Sequence, residues 1–168
     1  MWANDAFWGL LSEGTLAHVS VTDVPPDLHE VARRGWVEDA SGAWLLRAFR
    51  DSYHGSAESF DDLTGFEAAV NGRAVPDLDL PPTGGARIAC LVRRAIAFAR
   101  LALSSYERSG PVMVAYGLFS GDKSSGAMTG SLTFCAEHPG EPPYIENVGD
   151  DPQPIFIIKS SDQYFNGT

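Results

Sequence analysis

The 168-residue sequence is poor in cysteine, in lysine and in long apolar segments. Two cysteines are too few for the disulfide framework of a small secreted domain. With two lysines and a formal net charge of −10, the chain is not expected to bind nucleic acid directly or to lie on an anionic membrane. No apolar run approaches the roughly 20 residues that cross a bilayer, and the N-terminus lacks the basic segment of a secretory signal. A cytoplasmic location is therefore expected.

Short motifs that would identify an enzyme or a metal protein are also missing. The sequence contains no G-x-S-x-G elbow, no phosphate-binding loop of the Walker type and no G-x-G-x-x-G. Cys135 and His138 have C-x₂-H spacing, which is half of a zinc site, but a structural site needs four ligands and no second pair has matching spacing. Cys90 lies near several arginines, which lower a thiol pKa, but no motif supplies a catalytic base. Neither a metal nor a cofactor is predicted.

Composition and length favour one folded domain over residues 1–168. Hydrophobic residues make up 44% and charged residues 20% of the chain, which is ordinary for a globular protein. A length of 168 residues is enough to bury a sizeable core. Residues 160–168 are predicted to form a loose C-terminal tail.

The segment Arg87–Arg108 gives the clearest structural signal, an amphipathic helix. Ten apolar side chains fall on one side of a helical wheel and five arginines on the other. Strands are predicted at Val112–Phe119, Ala127–Cys135 and Pro154–Lys159, the first two joined by a polar turn. The order favours an α+β fold in which the long helix packs on a mainly antiparallel sheet. The predicted core consists of Leu91, Val92, Ala95, Ile96, Ala99, Val114, Leu132, Phe134 and Ile157.

The first half of the chain is predicted to form shorter helices and strands. Alternation of side chains predicts a strand over Thr15–Thr22. A hairpin is predicted from Trp36–Asp39 to Ala43–Phe49, turning at a glycine. Ser59 is a suitable cap for a helix that continues to Asn71. Further short helices are predicted at Ala3–Ser12 and from Asp27 to Arg34.

Charge is distributed unevenly along the chain. Residues 1–84 hold 14 Asp and Glu against 5 Arg, a net charge of −9, whereas residues 85–168 hold 8 against 7, a net charge of −1. The acidic residues between Asp51 and Asp79 contrast with the five arginines of the predicted long helix. An acidic surface of this kind suits electrostatic steering towards a basic partner.

The first functional hypothesis is therefore a non-enzymatic protein that binds and neutralises a basic protein. Immunity proteins of bacterial toxins and inhibitors of nucleic-acid-handling enzymes are examples of this class. The same acidic residues could instead form an ordinary solvated face. Asp61, Asp62 and Glu67 are expected to be exposed on one helix, although their spacing does not form a tight stripe. The predicted partner-binding residues are Glu58, Asp61, Asp62, Glu67 and Asp77.

The alternative hypothesis is a small enzyme. Tyr53-His54-Gly55-Ser56 follows a predicted strand and resembles the Tyr-His-Gly-Thr/Ser signature of the diphtheria-toxin-like ADP-ribosyltransferases. The resemblance implies that Tyr53, His54 and Gly55 belong to an NAD site and that His54 works with a late carboxylate, for which Glu146 can be nominated. The other interpretation of these four residues is a polar loop after a strand.

Overall fold

The structure is a computed structural model that describes residues 1–106 and 110–162. Its main sheet has five strands in the order β1-β7-β5-β6-β4, and all its described pairings are antiparallel. A separate two-stranded sheet pairs β2 with β3. The strands are β1 (Trp2–Ala3), β2 (Trp36–Glu38), β3 (Trp44–Leu46), β4 (Arg73–Ala74), β5 (Met113–Asp122), β6 (Ala127–Ala136) and β7 (Ile155–Lys159).

Helices cover one face of the main sheet. The longest, α5, packs on β5, β6 and β7, and α2 packs on α5. The helices are α1 (Asp5–Trp8), α2 (Pro26–Arg34), α3 (Arg47–Arg50), α4 (Leu63–Asn71) and α5 (Gly85–Ser104), with short 3₁₀ turns at Val21–Asp23, Ala57–Ser59 and Val148–Asp150. This arrangement confirms the predicted α+β class and the long helix on an antiparallel sheet. The predicted end of that helix at Arg108 lies outside the described residues.

The two faces of the main sheet have different neighbours, because side chains alternate along each strand. The inner face, under the helices, carries Phe119, Phe134 and Phe156 in the main core. Gly117 pairs with Phe156 on this face, and a Cβ at Gly117 would lie only 2.1 Å from the Phe156 ring. The outer face carries a smaller apolar cluster. Ile157, predicted to be mostly buried, lies on this outer face, where it is partly buried against that cluster and does not belong to the main core.

The predicted strand at Thr15–Thr22 was also wrong. Its last residues form a 3₁₀ turn, in which Ser20 and Asp23 bond each other's backbone in a capping box. Such local hydrogen bonds compete with strand pairing. The predicted hairpin is confirmed, but its second strand ends at Leu46, where α3 begins. The helix predicted to start at Ser59 begins at Leu63 and is capped by Asp62.

Both ends of the described chain are tied to the sheet. The Met1 ammonium group lies 2.9 Å from the Asp162 carboxylate, and the Ser160 hydroxyl accepts a hydrogen bond from the Met113 N–H. Residues 160–162 of the predicted tail are thus held in place, whereas residues 163–168 lie outside the described structure. Within residues 1–106 and 110–162, no helix has the length and apolar composition that spanning a membrane requires.

Packing in the core gives a first testable expectation. Ile96 on α5 is fully buried, so replacing it with alanine removes contacts and leaves a cavity. Ile96→Ala should lower the free energy of unfolding by about 2–5 kcal/mol, measured by urea denaturation. Ile88→Ala, at a half-buried position of the same helix, is the matched control and should cost less. An unchanged denaturation midpoint for Ile96→Ala would contradict the core assignment.

Candidate functional site

Glu67, predicted to be exposed for partner binding, is fully buried. Its Oε1 accepts a hydrogen bond from the Trp44 N–H at 2.6 Å, and its Oε2 accepts one from the Ala136 N–H at 2.6 Å. Burial raises the pKa of Glu67, while these hydrogen bonds and the nearby His138 oppose the rise. The prediction for this residue was therefore wrong, because the carboxylate satisfies backbone donors inside the fold instead of facing solvent.

Asn71, one helical turn after Glu67, completes the same arrangement. Its amide group donates to the carbonyls of Trp44 and Phe134, and its oxygen accepts from the Leu46 N–H. Residues four apart lie on the same side of a helix. Together, Glu67 and Asn71 join the free edge of β3 to the end of β6, where β4 no longer pairs with it. Helix α4 is thereby fixed between the two sheets.

The other predicted acidic residues fall into two groups. Glu58 and Asp61 are exposed, as the docking hypothesis requires. Asp62, which is half-buried, accepts a hydrogen bond from the Gly65 N–H and caps α4. Asp77, also half-buried, is paired with Arg87 of α5. Glu58 and Asp61 are thus free to face a partner at the surface, whereas Asp62 caps α4 and Asp77 is engaged in an ion pair within the fold.

The residues of the enzyme hypothesis lie in separate surroundings. The Tyr53–Ser56 segment follows α3 and not a strand. The Tyr53 ring packs against Phe66, with centroids 5.9 Å apart, and His54 is exposed. Glu146 lies beyond β6, beside the outer face of the sheet. No cavity among those described is lined by both His54 and Glu146.

Residues 139–149 cross the outer face of the main sheet, and we call this segment the strap. A cavity of about 390 Å³, which we call the hollow, lies between the strap and the ends of β5 and β6. This size falls in the range of ligand-binding pockets. Its apolar and aromatic lining consists of Val114, Tyr116, Cys135, Pro142, Pro143 and Tyr144.

Two contacts hold the strap in place, one polar and one between aromatic rings. The Glu141 carboxylate accepts hydrogen bonds from the N–H groups of Leu63 and Thr64 and from the Thr64 hydroxyl, which anchors the strap at the start of α4. Burial acts to raise the pKa of Glu141, but these hydrogen bonds hold it below its usual value. The Tyr144 ring also packs against the Tyr116 ring, with centroids 5.5 Å apart. Burial raises the pKa of Tyr116 to about 12, although the nearby Tyr144 N–H acts to lower it.

Two groups near the hollow could in principle do chemistry. His138 Nε2 is buried 3.1 Å from Glu67 Oε1, but no group in the described residues is aligned with it for a hydrogen bond. Burial, with the charge of Glu67, raises the pKa of the Cys135 thiol, which disfavours the nucleophilic thiolate. No group of three or more metal-ligating side chains occurs in the described ranges. The raised pKa therefore disfavours Cys135 as a nucleophile at the hollow.

Acidic residues lie in and near the hollow, which is also lined by one lysine, Lys159. Residues 137–151 contain five Asp and Glu and no Lys or Arg. Glu141 borders the hollow itself, and Glu146 borders an adjoining cavity of about 310 Å³. Glu141 accepts a hydrogen bond from the Leu63 N–H at the start of α4, and the exposed Asp61 is two residues before Leu63 in the chain. We call Asp61, Glu141 and Glu146 the acidic rim; only Asp61 was predicted as part of a docking surface.

Comparison with known protein families, curated proteins and solved structures gives no match.

The position of Glu67 leads to a prediction about stability. In Glu67→Gln, one of the two backbone N–H groups that now donate to carboxylate oxygens would face an amide NH₂ group. Because a buried donor without an acceptor is costly, the free energy of unfolding should fall by about 1–3 kcal/mol. Glu58→Gln removes the same charge at an exposed position and should change it by no more than about 0.5 kcal/mol. Equal effects of the two variants in denaturant titrations would contradict the role of Glu67.

The anchoring of the strap by Glu141 can be measured by hydrogen exchange. Glu141→Ala should speed exchange of the Thr64 N–H, which donates to Glu141 Oε2, whereas Glu146→Ala, on the same strap, should not. A carboxyl whose pKa is lowered on folding contributes its full stabilisation at pH values above its unfolded pKa of 4.5. It loses that contribution as the pH falls through its lower pKa in the folded state. The protection of the Thr64 N–H should therefore persist at pH 4.5 and decrease only below it. Unaltered exchange in Glu141→Ala would rule out this anchor.

Proposed function

We propose that the protein binds a basic segment of another protein, with the hollow as the docking site. The observation that carries this proposal is an apolar and aromatic hollow bordered by an acidic rim. Apolar contacts with aromatic residues supply most of the affinity at protein interfaces. Carboxylates around them steer a cationic partner and disfavour other partners. A binding function also agrees with the raised pKa of Cys135.

The arrangement of ion pairs supports a surface that attracts cations. Six arginines and one lysine of the described residues lie within 4.0 Å of carboxylates in the same chain, so their charges are compensated internally. The excess of carboxylates is then carried by residues outside these pairs, including Asp61 and Glu146. Immunity proteins of bacterial toxins and inhibitors of nucleic-acid-handling enzymes are the predicted functional classes, and the cytoplasmic location stays a prediction.

The docking proposal can be tested with a displayed library of short random peptides selected on the immobilised protein. The selected sequences should carry net positive charge, and their binding should weaken as salt rises. Tyr144→Leu removes an aromatic wall of the hollow and should abolish binding of the selected peptides. Trp8→Leu changes a comparably exposed aromatic residue that does not line the hollow, and should leave binding intact. Selected peptides without net positive charge, or binding that survives Tyr144→Leu, would contradict the proposal.

The steering role of the acidic rim has a separate measurement. Asp61→Lys should slow association of a selected peptide more than Glu13→Lys, which makes the same change in net charge at an exposed residue that does not line the hollow. Dissociation should change less, because exposed charges act mainly on the rate of encounter. Asp62 is left unchanged because it caps α4. Equal association rates for the two variants would remove Asp61 from the docking surface.

A further inference from the structure

The hollow combines aromatic walls with a carboxylate. The rings of Tyr116 and Tyr144 both line it, with centroids 5.5 Å apart and planes inclined by 67°. Tyr116 is buried and Tyr144 is 43% exposed, so one ring belongs to the floor and the other to the mouth. The face of an aromatic ring is electron-rich and attracts a cation most strongly where water is partly excluded. The walls therefore favour an organic cation.

A carboxylate with spare acceptor capacity borders the same space. Glu141 Oε2 accepts two hydrogen bonds from Thr64, whereas Oε1 accepts only the one from the Leu63 N–H within the described structure. A carboxylate oxygen has two lone-pair sites, so Oε1 can accept another donor. The pKa of Glu141 is held below its usual value, so the group is ionised at neutral pH.

The cationic residue already beside the hollow does not oppose this chemistry. The Lys159 ammonium lies 2.6 Å from Glu137 Oε1, and the two side chains are 45% and 49% exposed. They form a neutral pair at the surface, screened by solvent. His138, on the other side, has its Nε2 directed towards Glu67. Glu141 is then the carboxylate lining the hollow that is not in an ion pair.

We infer that the hollow receives one arginine side chain of the partner, an inference that rests on the proposed docking function. A guanidinium group is planar and weakly hydrated, and it stacks on aromatic faces while donating several hydrogen bonds in one plane. Stacking on Tyr144 would leave N–H groups free to reach Glu141 Oε1. An ammonium group is more strongly hydrated and offers no flat face, so lysine should bind more weakly. The cavity of about 390 Å³ accommodates the aliphatic stem as well as the head group.

The experiment compares three capped tripeptides, Gly-Arg-Gly, Gly-citrulline-Gly and Gly-Lys-Gly, titrated into the isotopically labelled protein. Citrulline has the shape of arginine without its charge. Gly-Arg-Gly should produce saturable NMR shifts at Tyr116, Cys135 and Tyr144, with apparent affinity about tenfold or more above that of the citrulline peptide. Gly-Lys-Gly should fall between them. Tyr144→Leu should remove the response to arginine, and Trp8→Leu should retain it.

Equal shifts with arginine and citrulline, shifts confined to residues outside the hollow, or no saturable shift would each overturn the inference. These results differ from failure of the docking proposal. If selected peptides are basic and depend on Tyr144 while the tripeptides show no preference for arginine, the docking proposal stands and the arginine site fails. If the arginine tripeptide binds in the hollow but selection yields peptides without positive charge, the site stands and the docking proposal fails.

Discussion

The side chains of Glu67 and Asn71 take the place of a strand between the two sheets. Backbone groups at the edges of β3 and β6 would be left without partners inside the protein, and the two side chains bond five of them. Unpaired buried backbone groups are costly, so this arrangement determines where α4 can lie. The start of α4 therefore lies at the edge of the outer face of the main sheet. The Glu141 contact, and with it the hollow under the strap, depends on that placement.

Local periodicity was sufficient to predict the elements that are stabilised by a continuous apolar face. The long helix α5 and the β5–β6 hairpin were found because their burial repeats with the period of the backbone. The burial of Glu67 has no such signal. Its partners, Trp44 and Ala136, are distant from it in the sequence. A carboxylate in a short helix is usually exposed to solvent. The place of Ile157 in the outer cluster and not in the main core depended on which face the helices cover, which β7 alone does not specify.

Charges counted along the chain do not show which of them are compensated in space. The region from Asp51 to Asp79 is acidic in sequence, but Asp51, Asp77 and Asp79 are paired with arginines of α2 and α5. Those pairings join residues up to 17 positions apart. Residues 137–151 carry five carboxylates and no Lys or Arg, a denser signal that the sequence did contain. What the sequence could not show is that this segment lies across an aromatic sheet face.

The fixed position of the strap bears on how tightly such a site can bind. Ordering a loop on binding costs roughly 0.5–1.5 kcal/mol for each flexible side chain that is immobilised. The Glu141 hydrogen bonds and the contact of the Tyr144 ring with Tyr116 already hold the strap in the free protein. Pro142 and Pro143 restrict the backbone between these contacts, since proline fixes φ. A partner would therefore meet a preformed hollow, and the ordering cost would fall mainly on its own segment. Under the proposed docking function, the interactions that stabilise the strap would thus let the acidic rim and the aromatic walls act on the same ligand.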